Sequence, residues 1–259
     1  MGIINVTPDS FSDGGLYYSP EKAVARGIAL AEEGADIIDI GGESSRPGAD
    51  AVSPQEQMDR VCPVMEKLRG ETDALLSVDT TSSRVAEESI AVGADIINDI
   101  SALRFDEDMI DVAVGRGVGL ILMHMKGTPK DMQQDPYYED IIGEITGFLK
   151  ERIDYAEARG VDSSKIVVDP GIGFGKTVDG NLEILRNISR FRELGKPVLI
   201  GASRKSFLGA ITGASVENRL AGSLAAACLA ALNGVDILRV HNIKETVDAL
   251  KIVAALSER

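Results

Sequence analysis

Eight times along this chain a short apolar or β-branched run closes on polar residues, and each time an amphipathic stretch follows. The runs are INVTPDS, DIIDIGGESSRPG, LLSVDTT, DIINDIS, LILMHMKGT, IVVDPGIGFGKT, VLIGASRKSF and DILRVHN. Strands are expected near Ile3–Asn5, Asp36–Ile40, Leu75–Asp79, Asp95–Asp99, Gly119–Met123, Lys165–Asp169, Pro197–Gly201 and Asp236–Val240. Helices are expected over Pro20–Glu33, Pro54–Leu68, Ser82–Val92, Glu107–Gly115, Tyr138–Arg159, Gly180–Glu193, Val216–Asn233 and Ile243–Leu256. Strict alternation of strand and helix calls for a parallel sheet covered by helices. Eight units in 259 residues predict one α/β domain, a TIM (β/α)8 barrel over residues 1–259, with function at the carboxyl ends of the strands. An open doubly wound sheet would need G-x-G-x-x-G after the first strand, and NVTPDSFSDGG lacks it.

Local signals agree. GADIIDI, GADIIND and GVDILRV each read as a helix stopped at glycine, a short loop carrying Asp and a buried strand. Ser19-Pro20 and Ser53-Pro54 look like capped helix starts. Gly34, Gly70, Gly93, Gly117, Gly160, Gly195 and Gly234 look like helix-ending glycines. The longest connections, Thr7–Ser19 and Glu43–Ser53, follow strands and so belong to the functional face, where they could act as lids.

A net charge of −14 leaves no basic surplus for phosphate backbones, which argues against nucleic acid as a partner. It makes the cations at strand ends informative: Arg46, Lys126, Lys176, Arg204, Lys205 and Arg239. Cys62 and Cys228 fit neither a disulfide framework nor a zinc site. No membrane-length apolar run or signal peptide is seen, so a cytoplasmic protein is expected.

Asp79, Asn98 and Asp169 close strands 3, 4 and 6, where inward polar groups can form a hydrogen-bonding floor for a flat heterocycle. Helix capping or barrel structure is the plainer reading of any one of them; all three together point to a ligand. Lys205 and Arg204, flanked by Ser203 and Ser206, follow strand 7, and Arg239 and His241 end strand 8. These are the loops that bind phosphate in barrels of this kind. His241 alone would read as structural; Arg239 two residues away turns the reading to an anion. Asn5 ends strand 1 and could ligate Mg²⁺, although a turn-forming Asn is the plainer reading. His124 has no Cys or Asp at ligand spacing, which argues against a metal there. Met123 reads as packing against a ring, and Phe174 and Phe11 read either as aromatic surface for one or as ordinary packing. LAGSLAAACLAAL could make a close subunit contact or pack on the barrel.

Taken together, NVTPDSFSDGG, GGESSRPGA, VDT, DIINDIS, HMKGTP, DPGIGFGKT, GASRKSFLG and RVHN resemble the dihydropteroate synthase family, in order and over essentially the whole chain. VDT and NDIS are weak alone; DPGIGFGKT, SRKSFLG and NVTPDSFSDGG are specific. The resemblance implies condensation of 6-hydroxymethyl-7,8-dihydropterin diphosphate with 4-aminobenzoate to 7,8-dihydropteroate and diphosphate. It implies a pterin site of Asp79, Asn98, Met123, Asp169, Phe174, Gly201 and Lys205. Asn5 with Mg²⁺, Arg239 and His241 would hold the diphosphate, and Asp79, Lys205, Arg239 and His241 would carry the chemistry. Phe11, Asp13, Ser44, Ser45, Arg46, Pro47 and Ser206 would shape the aminobenzoate site and its loops. A homodimer is implied on the same ground.

Ser45 stands where the family usually has Thr, and Asn242 where Asp is common. A pterin-dependent methyltransferase-like domain should lack SRKSFLG and the NVTPDSFSDGG loop. An inactive pterin-binding paralogue should have lost Arg239, His241 or Lys205. An aldolase would want a Schiff-base lysine inside a strand. None of these expectations fits the chain.

Overall fold

A computed structural model describes residues 1–7, 20–44 and 51–257. Eight parallel strands alternate with helices: β1 (Gly2–Asn5), α1 (Pro20–Glu32), β2 (Ile37–Gly41), α2 (Pro54–Glu71), β3 (Leu75–Asp79), α3 (Ser83–Ala91), β4 (Ile96–Asp99), α4 (Met109–Arg116), β5 (Gly119–Met123), α5 (Ile141–Ala158), β6 (Ile166–Asp169), α6 (Val178–Arg186), α7 (Ile188–Arg192), β7 (Leu199–Ile200), α8 (Ser206–Thr212), α9 (Leu220–Leu232), β8 (Ile237–Leu238) and α10 (Ile243–Ser257). Strands β1 to β6 pair in chain order, and β7 pairs with β8. Single parallel bridges, Val168 to Val198 and Gly2 to Val240, join the two sets and close the barrel. At the last seam Val240 N–H donates to Met1 O at 2.9 Å and Ile3 N–H to Val240 O at 3.2 Å.

The period of two along each strand sorts side chains between two cores. Ile38, Ile40, Leu76, Val78, Ile97, Leu120, Leu122, Val168 and Ile200 face outward into the main core beneath the helices. Met1, Ile37, Ile121 and Leu199 fill the lower barrel interior, with Ile96, Val167 and Ile237 against them. One inward position further up, most strands turn polar, with Met123 on β5 and Gly201 after β7 as the exceptions, and that change of layer positions the site. Among the described residues no helix is long and apolar enough to cross a membrane.

Three helix expectations need correction. Gly70 lies inside α2, which runs on to Glu71 because nothing there forces the chain into the left-handed region. The expected Gly180–Glu193 helix starts earlier, at Val178, where Thr177 Oγ1 accepts from Gly180 N–H at 3.0 Å. It also breaks at Asn187, whose φ of −117° leaves the helical region. Residues after β7, expected as loop, form the short helix α8, ended by Gly213 at φ +72°. Ser53 caps α2 as anticipated, accepting from Glu56 N–H at 3.2 Å.

Candidate active site

The polar layer centres on Arg239. Its Nε donates to Asp39 Oδ2 at 2.6 Å and its Nη2 to Asp79 Oδ2 at 2.8 Å. Asn98 Nδ2 donates to the same Asp39 oxygen at 3.1 Å, which orients the amide with its carbonyl oxygen away from that carboxylate. Register explains the convergence: Gly41 lies opposite Asp79, and Asp79 opposite Asn98, so β2, β3 and β4 lift their inward groups to neighbouring heights. Asp169 ends β6, buried, with Oδ1 accepting from Gly171 N–H at 2.7 Å.

Burial sets the protonation chemistry. It pushes Asp79 up to about 7; Arg239 and Lys205 oppose the rise, while Asp39 and Asp99 add to it. Burial also lifts Asp169 to about 6, against the Gly171 N–H bond and the charges of Lys205, Lys176 and Arg239. Lys205 is lowered to about 8 by burial and by Arg239, with Asp169 and Asp79 resisting. Burial works against the Arg239 charge too, yet Asp39 and Asp79 hold it above its ordinary range. The floor therefore carries carboxylates that titrate near neutrality rather than near 4.

An apolar wall stands beside the floor. Ile100, Met123, Met125, Met132 and Phe174 form their own buried cluster, separate from the main core. Lys205 Nζ sits 4.0 Å from the Phe174 ring centroid, a cation–π distance. The turn carrying Phe174 depends on Gly171: its φ is +71°, and a Cβ there would lie 1.9 Å from His124 O. Gly201 lies next to Arg239, where a Cβ would meet the Arg239 side chain at 3.8 Å.

The loops after β7 and β8 are tied together. His241 Nδ1 lies 3.0 Å from Ser203 Oγ, and His241 N–H donates to the same oxygen at 3.3 Å. Arg204, at φ +58°, donates through Nη2 to Asn242 Oδ1 at 2.8 Å. So Asn242 keeps the acceptor that an Asp would offer while removing its charge. Ser206 opens α8 and is exposed; Ser44 is half-buried just past β2. Asn5 ends β1 on the inward side, because its neighbours Ile4 and Val6 face the outer core.

The strand-end cations divide. Lys205 and Arg239 face the floor. Lys176 is buried away from it, with Nζ donating to Phe174 O at 2.9 Å and lying 3.1 Å from His124 Nδ1. Lys126 lies 3.8 Å from Asp135 and 5.0 Å from the Tyr138 ring centroid. Arg239 and His241, expected to act together, have different partners in this structure: the guanidinium lies on two carboxylates, the imidazole on Ser203. Phe11, Asp13, Ser45, Arg46 and Pro47 lie outside the described residues.

Two acids escaped the sequence reading. Asp99 is buried on the outer face, where it accepts from Ser101 N–H at 2.8 Å and Leu103 N–H at 2.7 Å, shaping the loop after β4. Asp39 sits mid-strand with no exposure. Its signal was available: a carboxylate inside an isoleucine run, in register with an inward position, has only the barrel interior to enter.

A parallel barrel whose upper interior is charged on one side and methionine-lined on the other is built to hold a flat, polar small molecule. The chain belongs to the family described as pterin binding enzyme, which matches residues 1–241. The dihydropteroate synthase of Haemophilus influenzae is 44% identical over 252 residues, 97% of this chain and 91% of that one. Two solved dihydropteroate synthases of Xanthomonas albilineans share the fold. One, with 4-aminobenzoic acid, is 48% identical at a TM-score of 0.94, covering 100% of this chain and 92% of that chain. The other, in complex with 7,8-dihydropteroate, is 45% identical at 0.90, covering 100% and 93%.

Proposed function

We infer that this chain catalyses the dihydropteroate synthase reaction of folate biosynthesis. It is a transferase that joins the pterin methyl group of 6-hydroxymethyl-7,8-dihydropterin diphosphate to the nitrogen of 4-aminobenzoate, releasing diphosphate. The observation that carries the reading is the acceptor floor of Asp79, Asn98 and Asp169 beside the Met123–Phe174 wall, in a chain so close to relatives solved with the second substrate and the product.

The geometry suits each demand of the reaction. Asp169 and the Asn98 carbonyl offer acceptors to the N–H edge of a pterin, while Lys205 and Phe174 flank its ring plane. The C–O bond to diphosphate breaks as negative charge moves to the leaving group and positive charge spreads into the pterin. Asp79, partly balanced by Arg239, lies in the same layer to stabilise that cation. The arylamine of 4-aminobenzoate then attacks, and its proton leaves with solvent or diphosphate; no covalent enzyme intermediate is needed. Ser206 at the start of α8 and Ser44 after β2 are proposed to border the aminobenzoate, with Phe11, Asp13, Ser45, Arg46 and Pro47.

Diphosphate is proposed to meet His241, Arg239 and Mg²⁺. Among the described residues no three His, Cys, Asp or Glu side chains converge as a metal site. Asn5 alone offers an amide oxygen at the end of β1. That donor set fits a Mg²⁺ that arrives with diphosphate oxygens and keeps its waters. When bound, the ion would neutralise charge on the leaving group. A homodimer and a cytoplasmic location complete the reading; the dimer is supported by the exposed Ile211, Leu229, Leu232, Ile252 and Leu256 on α8, α9 and α10.

The test is diphosphate release from 6-hydroxymethyl-7,8-dihydropterin diphosphate in Mg²⁺, with and without 4-aminobenzoate. Release that depends on 4-aminobenzoate and yields 7,8-dihydropteroate supports the reading; pterin binding without product overturns it.

A further inference from the structure

Asp39 is a buried carboxylate to which the proposed reaction gives no step. It is fully enclosed, and among the described residues its Oδ1 has no hydrogen-bond partner. The hydroxyl of Ser77, its register partner on β3, is equally buried and, among the described residues, equally without a partner. Such groups weaken a fold, so stability does not explain this one. What Asp39 does accomplish is set by Oδ2, which accepts from both Arg239 Nε and Asn98 Nδ2.

We propose that Asp39 is a positioning residue for the reaction above: it holds the Arg239 guanidinium midway between itself and Asp79 and fixes the Asn98 amide so that its carbonyl oxygen faces the ligand. The inference deepens the proposed reaction and rests on it. Sharing Arg239 between two carboxylates keeps Asp79 from monopolising the cation; among the described residues no hydrogen bond occupies its Oδ1. The charged groups that face Asp79 are Arg239 from β8, Asp39 from β2 and Lys205 after β7, and the outward Asp99 of β4 adds a weaker charge effect from behind the strand. Removing the Asp39 charge therefore lets Arg239 and Lys205 act on Asp79 with less opposition, and Asp79 deprotonates at lower pH. An amide at position 39 could also donate to the Asn98 carbonyl, turning an acceptor for the pterin into a donor.

The test is a double-mutant cycle of Asp39→Asn and Arg239→Gln, each variant checked for folding by its melting temperature. In the wild-type background Asp39→Asn should lower kcat/KM for the pterin diphosphate by about 100-fold, as a misplaced binding group does. KM for 4-aminobenzoate should stay the same, and the acid limb of the pH profile should move to lower pH. In the Arg239→Gln background the loss should shrink to a few-fold, since coupled residues are not additive. A folded Asp39→Asn with wild-type pterin kinetics and an unmoved limb overturns the proposal, and an equal loss in both backgrounds overturns the seating of Arg239. Should Asp39→Asn fail to fold, Asp39→Glu, which keeps the charge but moves it by one methylene, carries the same comparison. A wild type that makes no product refutes the reaction instead; calorimetric titration with the pterin diphosphate then tests Asp39 alone, and unchanged affinity in the variant overturns the positioning role.

Discussion

Lys205 Nζ lies 4.0 Å above the ring centroid of Phe174, and the two residues arrive from different barrel units, β7 and β6. The contact sets the height of the ammonium over the floor formed by Asp169 and Asp79. Lys205→Ala should reduce kcat/KM by at least about 100-fold, because it removes a positioned cation at the reacting face. Phe174→Leu removes only the aromatic face, worth about 0.5–2 kcal/mol, and should raise KM for the pterin diphosphate several-fold. Steady-state kinetics on both variants checks the order; near-normal turnover by Lys205→Ala contradicts the assignment.

Pterin affinity should depend on pH through the floor. Asp169 and Asp79 accept from two N–H groups, and with full strength, when ionised, and burial raises them to about 6 and about 7. Because both are raised, each carboxylate trades one acceptor for an O–H donor and loses its charge as pH falls through 7 and then 6, well above the usual carboxylate range. Calorimetry between pH 5 and 8 should show pterin binding weakening on the acid side. Asp169→Asn should bind the pterin more weakly at pH 8 and flatten the lower part of that dependence, with 4-aminobenzoate binding far less affected. Equal pterin binding by variant and wild type rules this out.

Lys176 links burial to stability. It is lowered to about 7 by burial and by Lys205, with Asp169 opposing. The unfolded chain holds this proton up to about 10.4, so between pH 7 and 10 the unfolded state binds more protons and folding gains as pH rises. Lys176→Met should remove that contribution. Denaturant midpoints of wild type and variant from pH 6 to 9 should diverge in slope, the wild type gaining relative to the variant; parallel curves would exclude a buried, lowered amine.

Gly171→Ala tests the turn after β6. The left-handed φ costs about 1–2 kcal/mol for an L side chain, and the Cβ would also press on His124 O. Together these predict a destabilisation of at least about 2 kcal/mol, a fall in melting temperature of roughly 4 °C or more, and lost pterin binding. A variant that melts with the wild type would mean the turn tolerates a side chain.

Asn242 tests the tie between the last two loops. Asn242→Asp should strengthen the bond from Arg204 by up to about 1 kcal/mol. It should also lower the positive potential beside His241 and raise KM for the pterin diphosphate, leaving that for 4-aminobenzoate unchanged. Asn242→Ala should lose the bond and gain nothing. Identical kinetics in all three proteins would detach this contact from the diphosphate.

Periodicity and punctuation in the sequence determined the barrel. Short continuous apolar runs such as LILM and IVV, helix stops at Gly34, Gly93 and Gly117 and the Ser53-Pro54 start are local signals, set by burial and backbone sterics within a few residues. They also placed Asp79, Asn98, Asp169 and Lys205 on one face, because parallel strands in a barrel all end on the same side. Tertiary structure alone decided who pairs with whom. Arg239 and Asp39 are 200 residues apart, and no local rule tells Arg239 to turn inward onto two carboxylates rather than toward the His241 loop. Nor does sequence say that Lys176, equally a strand-end cation, is withdrawn against His124. Those choices follow from register, burial and the sum of charges across eight strands, which exist only once the barrel has closed.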